Sequence, residues 1–313
     1  RNTNQNHRLN FRLEYDIDSA NKITFVPSLS LQDNVSRSLL SGNNTILDNI
    51  FLSSTSTRSQ ANNLGYDLSN SLLYQHKFRK KGRTISLNLS NQLNERNNNG
   101  DYQSVNVFSD STAGGLDQVY RLYSNTKKYS GNLSYTEPLG KSSQLQVSYL
   151  PSYSEGLSDK RTNDFDNVSN DYINFNPNLS NKYNNVYITQ RGGLSYKYQK
   201  EKLNLSLGAD VQESSLTGSQ EFPLAFDLQQ NFRNVLPNAR MNYKFSKTRN
   251  LRVNYRSSTD IPNITQLQNV IDISNPLQVR SGNAELKQSF QNNLFIRYGG
   301  FDTKTSRNIM LFV

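Results

Sequence analysis

YSGNLSYTEPLGKSSQLQVSYLPSY, residues Tyr129 to Tyr153, is the stretch whose reading decides the fold class. Tyr129, Gly131, Leu133 and Tyr135 alternate with Ser130, Asn132 and Ser134, the period of two that places successive side chains on opposite faces of a β-strand. Leu145, Val147 and Tyr149 alternate with Gln144, Gln146 and Ser148 in the same way, and Pro138 and Gly140 break the chain between the halves. The two halves therefore pair as a hairpin with one apolar and one polar face. In a transmembrane barrel the apolar face meets lipid and the polar face meets the lumen.

Composition favours that reading over a soluble domain with a dry core. Only 34% of the 313 residues are hydrophobic and the mean hydropathy is -0.75, which suits a barrel whose interior is polar. Disorder is the other meaning of low hydrophobicity, and the 18 Tyr and 15 Phe, many at alternating positions, argue against it. With no cysteine there is no disulfide, thiolate nucleophile or Cys-based metal site. No apolar run exceeds five residues, whereas a membrane helix needs roughly 18 to 20, so a membrane role requires strands. No basic-then-apolar leader stands at Arg1, which implies either a removed signal or a start inside a longer protein.

Apolar columns like those of the hairpin recur along the chain. They run through Leu9 to Ile17, Ile23 to Leu31, Leu64 to Phe78, Ile85 to Leu93, Ile188 to Tyr198, Leu203 to Val211, Ala239 to Phe245, Leu251 to Tyr255 and Leu294 to Tyr298, and a last strand starts at Arg307. Pro27 interrupts the second column, and a bulge is expected there. Short turns such as Asp18 to Asn21 and Arg79 to Arg83 alternate with long polar connections: Gln32 to Asn63, Asn94 to Lys128, Ser154 to Asn184, Gln212 to Asn234 and Ser257 to Ser289. Asn263, with Gln266 three on, is placed to cap one helical turn in the last of these. Short periplasmic turns and long outer loops are the habit of outer-membrane barrels. The expected fold is thus all-β: an antiparallel up-and-down transmembrane β-barrel, about twelve strands of it, with residues 1–313 forming a single domain. If the short turns are periplasmic, the first strand runs inward and the last outward. A complete single-chain barrel does the reverse, so the chain is expected to be an internal piece of a larger barrel, with strands before Arg1 and after Val313.

Several stretches carry a resemblance. Tyr135-Thr136-Glu137-Pro138-Leu139-Gly140-Lys141, Gln190-Arg191-Gly192-Gly193-Leu194-Ser195-Tyr196 and Lys202-Leu203-Asn204-Leu205-Ser206-Leu207-Gly208 resemble an outer-membrane β-barrel family related to TonB-dependent receptors of Gram-negative bacteria. So do Ile264-Thr265-Gln266-Leu267-Gln268, Asn275-Pro276-Leu277 and Gly282-Asn283-Ala284-Glu285-Leu286-Lys287, although Gln288 stands where the family tends to have Pro. The resemblance implies a barrel of about 22 strands. It also implies a plug domain on the same full-length chain, a TonB-type energising complex, an unidentified ligand, and energised uptake of a large or scarce nutrient across the bacterial outer membrane.

Chemistry is sparse. Gly140-Lys141-Ser142 mimics the end of a phosphate loop, but Tyr135 replaces the required Gly and the stretch joins two strands. His7 and His76 lack motif neighbours, and Asp159, Asp164 and Asp166 read better as a solvated acidic loop than as a calcium site. No catalytic residue, cofactor or metal is expected, and the reading is of a non-enzyme. Parity does single out a wall: Arg240, Lys244, Arg252, Arg256 and Arg297 all face away from the apolar columns, so they should line the lumen and meet a plug or guide a ligand. Tyr15, Tyr74, Tyr135, Tyr149, Tyr198, Tyr243, Tyr255 and Tyr298 fall in apolar columns, several near turns, as girdle residues do. Two other functions stay open: a structural or passive outer-membrane barrel, and a soluble basic β protein that binds polyanions, for which the net charge of +10 speaks. Interleaving of the charges with Asp and Glu argues against nucleic acid as a partner.

Overall fold

The computed structural model describes residues 1–46, 50–110, 112–262, 266, 271–272, 280–283, 286–302 and 305–312. Strands β1 (Asn2–Asn10), β2 (Leu13–Asp16), β3 (Asn21–Ile46), β4 (Ile50–Lys77), β5 (Thr84–Phe108), β6 (Ala113–Pro138), β7 (Ser143–Asp166) and β8 (Asp171–Phe175) form the first part. A 3-10 turn at Pro177–Leu179 leads to β9 (Asn181–Lys200), β10 (Leu203–Phe222), β11 (Phe226–Lys244), β12 (Arg249–Asp260), β13 (Ile271–Asp272), β14 (Arg280–Ser281), β15 (Ser289–Asp302) and β16 (Arg307–Phe312). One antiparallel sheet runs β1-β3-β4-β5-β6-β7-β9-β10-β11-β12-β15-β16, a path of twelve strands that is open between β1 and β16. The up-and-down topology is the one expected.

Register explains why the columns work together. Cross-strand partners share a face, and Ile23, Tyr74, Leu87, Leu133 and Tyr149 follow one another across five strands. Tyr198, Leu205, Met241, Val253 and Ile296 do the same across the other flank. Among the described residues no second layer covers this apolar face: Leu133 is 41% exposed, Leu194 53% and Leu207 47%. Among the described residues only Tyr183, Leu216 and Leu236 are buried hydrophobics, so the sheet is not one wall of a dry core. Aromatic pairs gather where the columns meet the tight turns, with His76 against Phe78 at 4.5 Å, Phe78 against Tyr135 at 6.3 Å, and Phe245 between Tyr243 at 4.8 Å and Tyr298 at 6.2 Å. No described helix is long and apolar enough to cross a membrane, and crossing falls to the strands.

The expected long connections are overturned. Gln32 to Asn63, Asn94 to Lys128, Ser154 to Asn184 and Gln212 to Asn234 are mostly strand, and Ile46 pairs with Ile50 at the far end of the first extension. A strand of 26 residues spans about 85 Å, whereas crossing needs only about 9 to 11 residues, so more than half of each such hairpin projects beyond the apolar belt. There both faces meet water, and alternation of polarity disappears while the ladder continues. Polar cross-strand contacts accompany it, such as Arg37 Nε to Gln60 Oε1 at 3.0 Å and Gln118 Nε2 to Asp164 Oδ1 at 2.7 Å. Only the last connection keeps its expected extent, leaving β12 at Asp260 and re-entering β15 at Ser289. The helical turn expected at Asn263 lies outside the described residues.

Proline acts by silencing one side of a strand. At Pro27 no bulge forms: Asn10 pairs with Ser28 and Leu13 with Phe25, the same register on both sides of a two-residue break. Phe11 N donates to Pro27 O at 3.1 Å, and the return bond is missing because proline has no N–H. Pro151 does the same towards β6, where pairing lapses after Ser130↔Ser152 and resumes at Leu133↔Tyr149. Pro237 marks the place where β11 leaves β12, whose shared ladder covers only Asn238 to Lys244. Beyond it the outer end of β12 leans over the polar face of β10, with Gln212 Nε2 on Thr259 Oγ1 at 3.0 Å. Gln288, just before β15, accepts from Asn234 at 2.7 Å and donates to Tyr187 Oη at 3.0 Å. Tyr183, Leu216 and Leu236 lie on this same polar face, a local apolar patch that the polar-lumen expectation did not include.

Candidate functional site

The five basic residues do share one face. Arg240 pairs with Asn254, Asn238 with Arg256 and Lys244 with Asn250, while Arg252 stands directly opposite Arg297. None of the five lies within 4.0 Å of a carboxylate among the described residues. Arg297 instead lies 5.4 Å from the centroid of its cross-strand neighbour Phe312. Two of the five, Arg240 and Arg256, line a polar cavity of about 660 Å³, but Arg252, Arg297 and Lys244 are not part of its lining.

That cavity takes residues from β6, β7 and β9 to β12, so the polar face is concave around it. It contains charges that the parity argument passed over: Arg191 and Lys197 from β9 and Asp210 from β10. Arg191 and Lys197 alternate with Leu194, Tyr196 and Tyr198 in the same way as the five, so the signal was present in the sequence. Asp210 depends on Gly193, because a Cβ there would collide with Asp210 Oδ1 and lie 2.8 Å from Ser148 Oγ. Glycine thus lets the carboxylate lie across β9, where it reaches Arg191 at 4.0 Å. The lining is cationic overall, with Asn132, Gln146, Asn204 and Asn242 offering amides between the charges.

The acidic loop carries no metal cluster among the described residues. Asp159 binds Arg161 at 3.1 Å, Asp164 accepts from Gln118 and Asn176, and Asp166 accepts from Ser169 N at 2.9 Å. The Ser169 donors hold the Asp166 carboxyl below its ordinary range. These bonds knot the outer ends of β7 to β9, where Thr162 N also donates to the buried Ser180 Oγ at 2.8 Å. His76 bonds Asn21 at 2.7 Å and His7 sits opposite Leu31.

An open apolar face, a concave polar face and tight turns edged by aromatics describe a wall between lipid and water. The sequence model of the outer membrane protein β-barrel family matches residues 76–311. The chain belongs to that family. Its place is therefore the bacterial outer membrane, with the apolar face to lipid and the polar face to the lumen. None of the curated proteins matches it. Among solved structures, FpvA of P. aeruginosa bound to heterologous pyoverdines is similar at 12% identity and a TM-score of 0.47, over 99% of this chain and 47% of that one. The ferric citrate transporter FecA is similar at 12% and 0.47, over 94% and 46%. The alcaligin receptor FauA of Bordetella pertussis is similar at 10% and 0.40, over 99% and 49%. The chain spans about half the length of the solved structures it matches.

Proposed function

We propose that this family member forms barrel wall for an outer-membrane receptor of the TonB-dependent type, taking up a large or scarce nutrient through a plugged lumen. The observation that supports the reading is that Arg240, Lys244, Arg252, Arg256 and Arg297 share one face and have no carboxylate partner among the described residues. Two guanidiniums directly opposite one another, Arg252 and Arg297, repel unless an anionic group stands before them. Acidic side chains of a plug on the same full-length chain supply that group, and the cavity at Arg240 and Arg256 then faces the ligand that the plug gates. A TonB-type complex provides the force. Among the solved structures similar to the chain, one holds a pyoverdine-Fe complex and another is named a ferric citrate transporter, and a ferric chelate is the first ligand to try.

The test is uptake by cells carrying the full-length protein, with and without the energising complex, together with limited proteolysis of the plug. The expected result is that uptake stops without the complex and that Arg252→Glu with Arg297→Glu exposes the plug to protease. Uptake that persists without the complex would favour a passive barrel, and an unchanged plug in the double variant would remove the assigned role of the wall.

A further inference from the structure

The apolar face is not smooth. Where Pro151 silences the β6 side of β7, its partner position is Gly131, and the pair leaves a groove of about 770 Å³ between Leu89 and Tyr153. Pockets of about 300 to 1,000 Å³ hold ligands of drug size. A Cβ on Gly131 would meet Pro151 Cγ at 3.3 Å and Leu89 Cδ2 at 3.9 Å, so the dent depends on glycine. Its surface is mostly apolar, with Asn70 and Asn91 facing each other across β4 and β5 towards one end and Gln190 on β9 at the other. They sit on the lipid face between Leu68 and Leu72 on one strand and Leu89 and Leu93 on the next. Gln190, also in the lining, accepts from the Tyr149 hydroxyl, but neither asparagine carboxamide has a hydrogen-bond partner among the described residues. An unpartnered amide beside hydrocarbon is costly.

Depth completes the picture. The row of Asn70 and Asn91 continues into Tyr129 and Tyr153, after which the next residues outward on that face are Lys127 and Glu155. The groove therefore lies at the interface of the outer leaflet, two residue rows deep, and runs across the strands from Phe25 on β3 to Gln190 on β9. We propose that it is a binding site for a lipid of that leaflet, whose amide or hydroxyl bonds Asn70 and Asn91 and whose acyl chain lies over Gly131. Location argues for this occupant, because the apolar face lies against the membrane lipid.

Lipid that co-purifies with the full-length protein in a mild detergent, counted by native mass spectrometry, tests the site. Wild type is compared with Gly131→Leu, with Asn70→Leu/Asn91→Leu, and with Gly192→Leu, a glycine on the same face with nothing within 4 Å of its Cβ position. The expected result is lipid retained by wild type and Gly192→Leu and reduced about tenfold in the other two, the equivalent of one good hydrogen bond or its lost packing. Equal retention in all four, equal loss in Gly192→Leu, or a loss confined to Gly131→Leu would each overturn the proposal. Should Gly131→Leu fail to insert, the asparagine pair, made more apolar on a lipid face, decides alone.

Discussion

Leu133 and Asn132 are neighbours in sequence and opposites in environment, so one substitution placed at each separates lipid from lumen. Leu133 lies in the middle of the row from Tyr74 to Tyr149 and is 41% exposed on the apolar face, while Asn132 lines the lumen cavity. Arginine on the lipid face near the bilayer midplane costs about 2–4 kcal/mol, falling towards about 0–1 kcal/mol near the interfaces, and lumen substitutions escape this cost. Leu133→Arg should therefore shift the folding equilibrium by a factor of about 30 to 900, and Asn132→Arg by much less. Reversible guanidinium unfolding of the full-length protein in lipid vesicles reads the difference, and heat-modifiable migration in a detergent gel checks insertion. If Asn132→Arg were the more damaging of the two, the faces assigned to every strand in register with β6 would be reversed.

Two further outcomes follow from single contacts. Gly193→Ala should swing the Asp210 carboxylate off Arg191 and cost about 0–1 kcal/mol, the worth of a partly exposed ion pair, whereas Gly192→Ala, with open space around it, should leave that contact and the unfolding midpoint unchanged in the same assay. At the water-side rim below the apolar columns, Glu137 accepts from Arg83 at 2.7 and 2.8 Å, Lys80 at 2.7 Å and the Tyr135 hydroxyl at 2.6 Å, and the Arg83 guanidinium first, then Lys80, hold its carboxyl far below the usual range. A depressed folded pKa means that its stabilisation is present above the unfolded carboxylate value of about 4.3 and is lost as pH falls below it. Unfolding midpoints at neutral and acid pH should converge in Glu137→Gln relative to wild type, and an unchanged pH dependence would show that the cluster does not tie the Arg79 to Arg83 turn to β6.

Much of the architecture was legible in the residues because lipid imposes a strict code. Within the belt each strand must present apolar side chains on one face only, and Leu203, Leu205, Leu207, Ala209 and Val211 spell that requirement directly. That the five basic residues share one face came from the same parity, and Arg191 and Lys197 were readable by it too. Asp210 was different: its position across β9 rests on the missing Cβ of Gly193, a contact between strands that no linear spacing expresses.

By itself, the sequence determined the strand class, the antiparallel order and which side chains meet lipid, because those follow from a period of two and a solvent that punishes exposed polar groups. The projecting hairpins, by contrast, were decided by tertiary pairing. Outside the membrane both faces of a strand are wet, so Gln32 to Asn63 carries the composition of a loop while its backbone completes a ladder whose partner alone reveals it as strand. The prolines show the same division: each one announces a missing donor, but only the neighbouring strand settles whether the ladder resumes in register, as at Pro27 and Pro151, or parts, as at Pro237.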